Sequence, residues 1–405
     1  MKKLSPRGTM VASCISFVAL GGITAALGPA LPDLAANTGS SLAAVGAVIT
    51  ALFVGSLIAL IVAGPLNDRI GQRPVLLAGV ALLALGTFGV AASHWLPLTL
   101  LCAVVAGLGH GAIDVSTNVL IAEVFAARSA AALNLLNVFF GLGAVAGPAL
   151  ASLTLRAWGS ALPALWASAG LMLLQAPLIP LLADTPRATR AMHTSLLPAT
   201  RATRASPLRS PLLWAIGALV LVYVGVENGI SGWTTVYLTR TTALDQATAA
   251  LVTSGFWLAL TGGRVAGAII GARVAPNTLL LFMLSGGLAG GALLAASTGS
   301  ASLTVAAVLL LGFCLGPIFP TALAIATASF RQAPGTAASM VVALGSAGGT
   351  LLPWLQGVLL ERAGPAASVL LVAACTLAML GLQLGRGLLG RRGMLPREEI
   401  GREVV

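Results

Sequence analysis

The sequence predicts an all-α membrane protein of twelve transmembrane helices arranged as two pseudo-symmetric six-helix bundles. Three observations predict it: the composition, the recurrence of long apolar runs, and a one-sided distribution of Arg and Lys. Of 405 residues, 58% are hydrophobic and 8% charged, with a mean hydropathy of +0.98, whereas a soluble domain draws about a quarter of its residues from Asp, Glu, Lys and Arg. A water-soluble globule is excluded. The 48 glycines follow no triplet period, and Leu, Ala and Val run in long blocks, which excludes collagen-like and disordered chains. The runs are continuous rather than alternating, so a membrane β-barrel is excluded too.

The first apolar stretch, 10–32, follows Lys2, Lys3 and Arg7. It is too long for the core of a secretory signal, and more spans follow, so it is a retained helix closing on Gly28-Pro-Ala-Leu-Pro32. Spans 2 and 3, at 42–63 and 75–93, flank a polar string at 64–74. Span 4 at 98–122 carries His110, Asp114 and Asn118, span 5 at 133–155 contains Gly143-Ala-Val-Ala-Gly147-Pro148, and span 6 occupies 161–182. Next comes the one long polar interval, with Arg187, Arg190, Arg201, Arg204 and Arg209 among Pro, Thr, Ser and Ala. Spans 7 to 12 follow at 212–238, 247–271, 278–297, 302–328, 336–359 and 365–385. The chain thus divides into a bundle (1–183), a cytoplasmic linker (184–211), a second bundle (212–390) and a cytoplasmic tail (391–405).

Charge placement tests this count, because cytoplasmic loops collect Lys and Arg. With the N-terminus inside, one side receives 18 basic residues and the other only Arg156, Arg240 and Arg362, while Arg264 falls within a span. A missed span near the middle would collapse that asymmetry. The net charge of +11 therefore sets topology and does not point to nucleic acid. Both termini are expected in the cytoplasm, and the protein in the plasma (cytoplasmic) membrane, an inner membrane where there are two. Cys14, Cys102, Cys314 and Cys375 lie inside apolar blocks without CxxC spacing and read as packing residues.

A charged side chain near the bilayer centre costs at least about 2.5 kcal/mol and is a functional hypothesis by default. Asp114, Glu227 and Arg264 are the ones inside spans. His110, Asp114 and Asn118 recur every four residues and share one face of span 4. Glu227 lies deep in span 7, beside Asn228 and one turn after Tyr223. A carboxylate in a low-dielectric cavity is suited to loading and releasing a proton, so Asp114 and Glu227 are proton-coupling candidates, with His110 as a relay or ligand contact. Alternatives stay open: Asp114 as a structural partner of His110 or of Asn134 or Asn137, and Glu227 as a hydrogen bond holding a break in span 7 between Gly225 and Gly232. Arg264 reads as a structural residue in the inner part of span 8, within a Gly-rich segment.

The string Gly64-Pro-Leu-Asn-Asp68-Arg69-Ile-Gly71-Gln-Arg73-Pro-Val-Leu76 resembles the cytoplasmic loop 2–3 signature of the major facilitator superfamily. It departs at Asn67, where a small residue is usual, and at Gln72, where a basic residue is common. Gly64 is expected to let span 2 pack closely and Gly71 to allow a turn. Glu123 and Arg128 at the end of span 4 extend the gating-loop motif. The resemblance implies that Asp68 meets the start of span 11 and locks the two halves on the inner face. Within the superfamily, several strings are similar to the fucose-permease-like branch. These are Gly107 to Asn118, Tyr223 to Asn228 with Trp233, Phe256-Trp257 with Gly263-Arg264, and Gly316-Pro-Ile-Phe319-Pro320. A carboxylate usual in span 1 of that branch is replaced here by Ser13, Ser16 and Thr24. The resemblance implies a cavity lined by spans 1, 4, 7 and 10, with Asn118, Thr24, Asn137, Tyr223, Asn228, Trp233, Trp257 and Phe319 as substrate-cavity candidates.

The sequence has no GxxxxGK[ST] phosphate loop and no HExxH, and its three histidines are scattered, so no enzyme activity, cofactor or metal is expected. The expected function is proton-coupled secondary transport of a small organic solute, sugar-like or amphipathic, by a monomer in the lipid bilayer working by alternating access. Two alternatives are weighed. The partial glycine-proline signature of span 5 favours export of drugs or metabolites by proton antiport. A non-transporting receptor or scaffold would require a larger soluble segment than the linker or the tail.

Overall fold

The computed structural model describes residues 3–182, 210–330 and 334–391. The linker arginines at 187–209 and the tail beyond 391 lie outside the described residues. The described residues form helices and no strand.

Helix α1 (Pro6–Thr38) starts at Ser5, whose Oγ accepts the Gly8 N–H, and has proline at its first position. It runs through Pro29 and Pro32 and ends only at Gly39, which has a left-handed φ of 60°. Prolines are tolerated in a membrane helix because neighbouring groups satisfy the freed backbone, so the expected end at Pro32 is six residues early. Helix α2 (Leu42–Ile70) contains Gly64 to Ile70, and α3 (Gln72–Ala92) follows at once. Most of the 64–74 string is therefore helix, and Gly71, at φ 94°, makes the turn by itself.

Helices α4 (Leu96–Phe125) and α5 (Ser129–Trp158) are joined by a 3-10 turn at Ala126–Arg128. Helix α6 (Leu162–Leu174) gives way to 3-10 structure over Ala176–Leu181, because Pro177 and Pro180 lack the N–H that an α-helix needs. Helix α7 (Pro211–Thr241) is continuous, so the break considered between Gly225 and Gly232 does not occur. Then come α8 (Gln246–Gly271), α9 (Pro276–Ala296), α10a (Ala301–Leu315), α10b (Ile318–Ser329), α11 (Pro334–Arg362) and α12 (Pro365–Arg391). The expected single span 10 is interrupted at Gly316-Pro317. Among the described residues eleven spans are long and apolar enough to cross a membrane, with α10a and α10b counted together. The helix outside that set is α8, which carries Arg264.

Packing repeats with an offset of six helices. Helix α1 packs on α5, α2 on α4 and α3 on α4; likewise α7 packs on α11, α8 on α10a and α9 on α10a. The repetition is nearly invisible in sequence but clear in backbone approach. A Cβ at Gly143 of α5 would lie 2.0 Å from the Val18 carbonyl oxygen of α1, and one at Gly348 of α11 would lie 1.8 Å from that of Leu221 in α7. Small residues let membrane helices approach this closely, where packing rather than apolar burial drives association. Gly64 does not serve this purpose: nothing lies within 4 Å of the position its Cβ would take.

Alternating helices place the α2–α3 and α4–α5 turns on one face, the basic face, and the α1–α2, α5–α6 and α7–α8 loops on the opposite face. The halves meet through α1 with α7, α2 with α11 and α5 with α8. The side-chain contacts across this seam run from the opposite face to mid-membrane. Gln246 donates to the Pro29 carbonyl at 3.0 Å and to Asp33 Oδ1 at 3.1 Å. Thr50 donates to the Thr350 carbonyl at 3.0 Å, and Ser254 to that of Val145 at 2.7 Å.

Candidate functional site

Among the described residues, two polar clusters within the membrane-spanning helices hold the flagged carboxylates, one in each half. In the first, the four-residue spacing on α4 works as its periodicity demands. Asn118 Nδ2 donates at 2.9 Å both to the Asp114 Oδ1 and to the Asp114 carbonyl. His110 Nε2 lies 3.3 Å from Thr24 Oγ1 of α1, and that hydroxyl donates its proton to the Leu20 carbonyl at 2.9 Å. With the hydroxyl proton committed, Nε2–H of a neutral imidazole is the donor. Nδ1 is then an acceptor, buried and without a hydrogen-bond partner. Asp114 pairs with neither His110 nor Asn134 nor Asn137.

The second cluster joins α7, α8 and α10b. Glu227 Oε1 receives Arg264 Nη2 at 3.4 Å, with the Glu227 side chain 9% and the Arg264 side chain 27% exposed. Tyr223, one turn earlier on α7, stacks on Phe319 with centroids 6.3 Å apart and an angle of 26°. Its hydroxyl is beside both charges but makes no aligned hydrogen bond. Arg264, expected as a structural residue, is the counter-charge of Glu227. The signal that finds it is the rule that flags Glu227, since an intramembrane arginine needs a partner as much as a carboxylate does. No hydrogen bond or ion pair links the two clusters among the described residues.

Four other cavity candidates make contacts within their own helix or at the seam. Asn228 spends its amide on the Val224 carbonyl of its own helix at 2.9 Å, and Asn137, which is exposed, spends its amide on Leu133 at 3.0 Å. Trp233 is 1% exposed and wedged in the seam, its ring edge against Gly46 of α2 and Gly357 of α11 and its Nε1 donating to the Pro353 carbonyl at 2.8 Å. Trp257 donates to Ser231 Oγ at 2.9 Å and meets Phe140 of α5 edge-on, with centroids 6.2 Å apart. Both tryptophans pack at the seam between the halves, and Trp233 also lines a small cavity with Ile230, Thr234 and Gln356.

On the basic face, the two departures from the signature make the contacts. Buried Asn67 accepts Ser116 Oγ at 2.9 Å, and Gln72 donates to Glu123 Oε2 at 3.0 Å. Side-chain hydrogen bonds from α2 and α3 thus reach α4 at the Ser116 hydroxyl and at the Glu123 carboxylate. Arg73 donates to the Leu182 carbonyl. Asp68, Arg69 and Arg128 are exposed, and Asp68 makes no hydrogen bond or ion pair among the described residues. Among those residues no group of three or more His, Cys, Asp or Glu side chains is arranged to hold a metal ion.

Two six-helix halves, joined face to face, with ionisable groups held inside each half, define a membrane transporter of the secondary type. The family profile described as Major Facilitator Superfamily matches residues 12–353, and the chain belongs to that family. It is 31% identical to the Sodium-dependent glucose transporter 1A of Mus musculus over 36% of this chain and 34% of that protein, so it spans about a third of that relative's length. It is 24% identical to the Sodium-dependent glucose transporter 1 of Danio rerio over 90% of this chain and 66% of that one. The fold is that of the D-xylose-proton symporter crystal structure, with a TM-score of 0.74 at 14% identity, covering 93% of this chain and 96% of that one.

Proposed function

We propose that this protein is a proton-coupled secondary active transporter of a small, sugar-like or amphipathic organic solute, working by alternating access as a monomer in the plasma membrane with both termini cytoplasmic. The observation that carries the reading is the pair of intramembrane carboxylates on facing halves, Asp114 held by an amide and Glu227 by a guanidinium. A group whose charge is balanced by one replaceable partner can exchange that partner for a proton as the cavity changes sides. The buried free acceptor of His110 and the Tyr223–Phe319 platform suit a solute that offers hydroxyl donors on an apolar ring face. The names of the relatives, glucose transporters and a xylose-proton symporter, favour the same class.

The relatives' names also favour sodium as the coupling ion, the second reading. Export by antiport is the weaker alternative, because backbone contact with Val18 and Gly22 of α1 explains Gly143 and Gly147 equally well. The test is a paired proteoliposome assay for Asp114→Asn and Glu227→Gln, comparing gradient-driven uptake with counterflow, using glucose, xylose and whatever ligands a thermal-shift screen retains. Proton coupling predicts that a pH gradient drives wild-type uptake, that each variant loses at least about tenfold of it, and that counterflow survives. Full pH-driven uptake by both variants, or uptake driven by sodium alone, overturns it.

A further inference from the structure

Helices α2 and α11 lie against each other across the seam, and each carries a carboxylate followed by arginine in its last turn: Asp68-Arg69 in α2 and Glu361-Arg362 in α11. Arginine suits the partial negative charge at a helix C-terminus. A carboxylate does not, but it is stabilised where it reaches the positive end of another helix. Glu361 reaches one. Its Oε2 accepts the backbone N–H of Ala43, the second residue of α2, one of the N–H groups at a helix start that have no partner within the helix. Ser41 Oγ accepts the next, that of Ala44, at 3.3 Å. The Glu361 contact runs from the second half to the first, on the face opposite the 64–74 motif.

We propose that Glu361 is a latch that holds the opposite face closed, so that the α2–α11 pair carries one carboxylate latch at each end. Glu361 closes the opposite face by capping α2, and Asp68 closes the basic face in the alternate state. The two are mutually exclusive because rocking the halves to engage one separates the other. In this structure the Glu361 contact is made, while Asp68 is exposed and unpaired among the described residues. Glu361 is thus a positioning residue for the transport cycle, remote from the two polar clusters.

The latch rests only on the alternating-access part of the proposed function, not on its solute or coupling ion, and its test needs no transport. Spin labels at Ala36→Cys, at the end of α1, and Ala243→Cys, between α7 and α8, sit on exposed positions of the two halves on that face. Their distance distribution is measured in nanodiscs, in a background with the four native cysteines replaced. Glu361→Ala is expected to raise the ratio of long-distance to short-distance population about three- to tenfold. Glu361→Gln should shift it less, because the amide oxygen still accepts, and it carries the test if the alanine variant does not fold. Ser41→Ala, which weakens the start of α2 without touching the other half, should leave the ratio unchanged, and Asp68→Asn should lower it. An unchanged ratio in both Glu361 variants, an equal shift from Ser41→Ala, or a rise from Asp68→Asn would each overturn the latch.

Discussion

Glu227 and Asp114 are the same chemical group held in two different ways. Glu227 faces a guanidinium at 3.4 Å, and Asp114 faces an amide at 2.9 Å. Removing one partner of a buried ion pair costs about 3–5 kcal/mol when both are fully buried. Arg264 keeps 27% of its side-chain surface, so Arg264→Gln should cost about 1–3 kcal/mol after allowing for that exposure. Glu227→Gln alone should cost less, because the arginine it leaves is the less buried of the two partners. The double variant should be no less stable than Arg264→Gln. Melting temperatures of the four proteins in detergent give the coupling directly; an additive cycle would mean that the two groups do not depend on each other. Asn118 gives Asp114 no charge to lose, so Asp114→Asn should melt within about 1 kcal/mol of wild type while losing driven uptake.

Helix packing turns on glycines that only the structure can tell apart. Gly143 and Gly64 both sit within helices, yet a Cβ at the first would lie 2.0 Å from the Val18 carbonyl oxygen, and one at the second would meet nothing within 4 Å. Gly143→Ala should therefore destabilise by about 1–3 kcal/mol through overpacking. Gly64→Ala should be neutral or stabilising by up to about 1 kcal/mol, because alanine is the better helix former. Thermal unfolding of the two variants decides it, and equal losses would refute the distinction. Helix ends follow the same logic. Gly39 stops α1 where Pro32 was expected to, Pro177 and Pro180 convert the end of span 6, and Gly316-Pro317 splits span 10. A proline read from sequence marks a lost N–H; whether the helix ends there depends on what neighbours supply to the freed carbonyls.

Across the whole molecule, the closed seam on the opposite face and the free Asp68 on the basic face describe one state of a two-state device. Asp68→Asn should reduce transport while leaving expression near wild type, because it removes a contact of the other state only; unchanged transport would reduce the motif to a charge that sets orientation. Orientation has its own test. Single cysteines at Thr38, Thr242 and Gly299 should react with an impermeant maleimide from outside intact cells, and those at Ala199 and Gly393 should not. External labelling at Ala199 would end the twelve-span arrangement.

By itself the sequence determined the class, the helices and the residues that carry charge into the membrane. Each of these follows from the cost of placing polar groups in hydrocarbon, a cost that falls on residues one at a time and is legible without knowing their neighbours. The tertiary structure decided partnership. Arg264 belongs to Glu227, and Asp114 belongs to Asn118 and not to His110. Asn67 and Gln72 bind α4 through side-chain hydrogen bonds, Trp233 wedges the seam, and Glu361 caps a helix more than three hundred residues away along the chain. These pairings depend on which helix faces lie within about 3 Å of each other, and that is a property of how two six-helix halves pack, which no single span encodes.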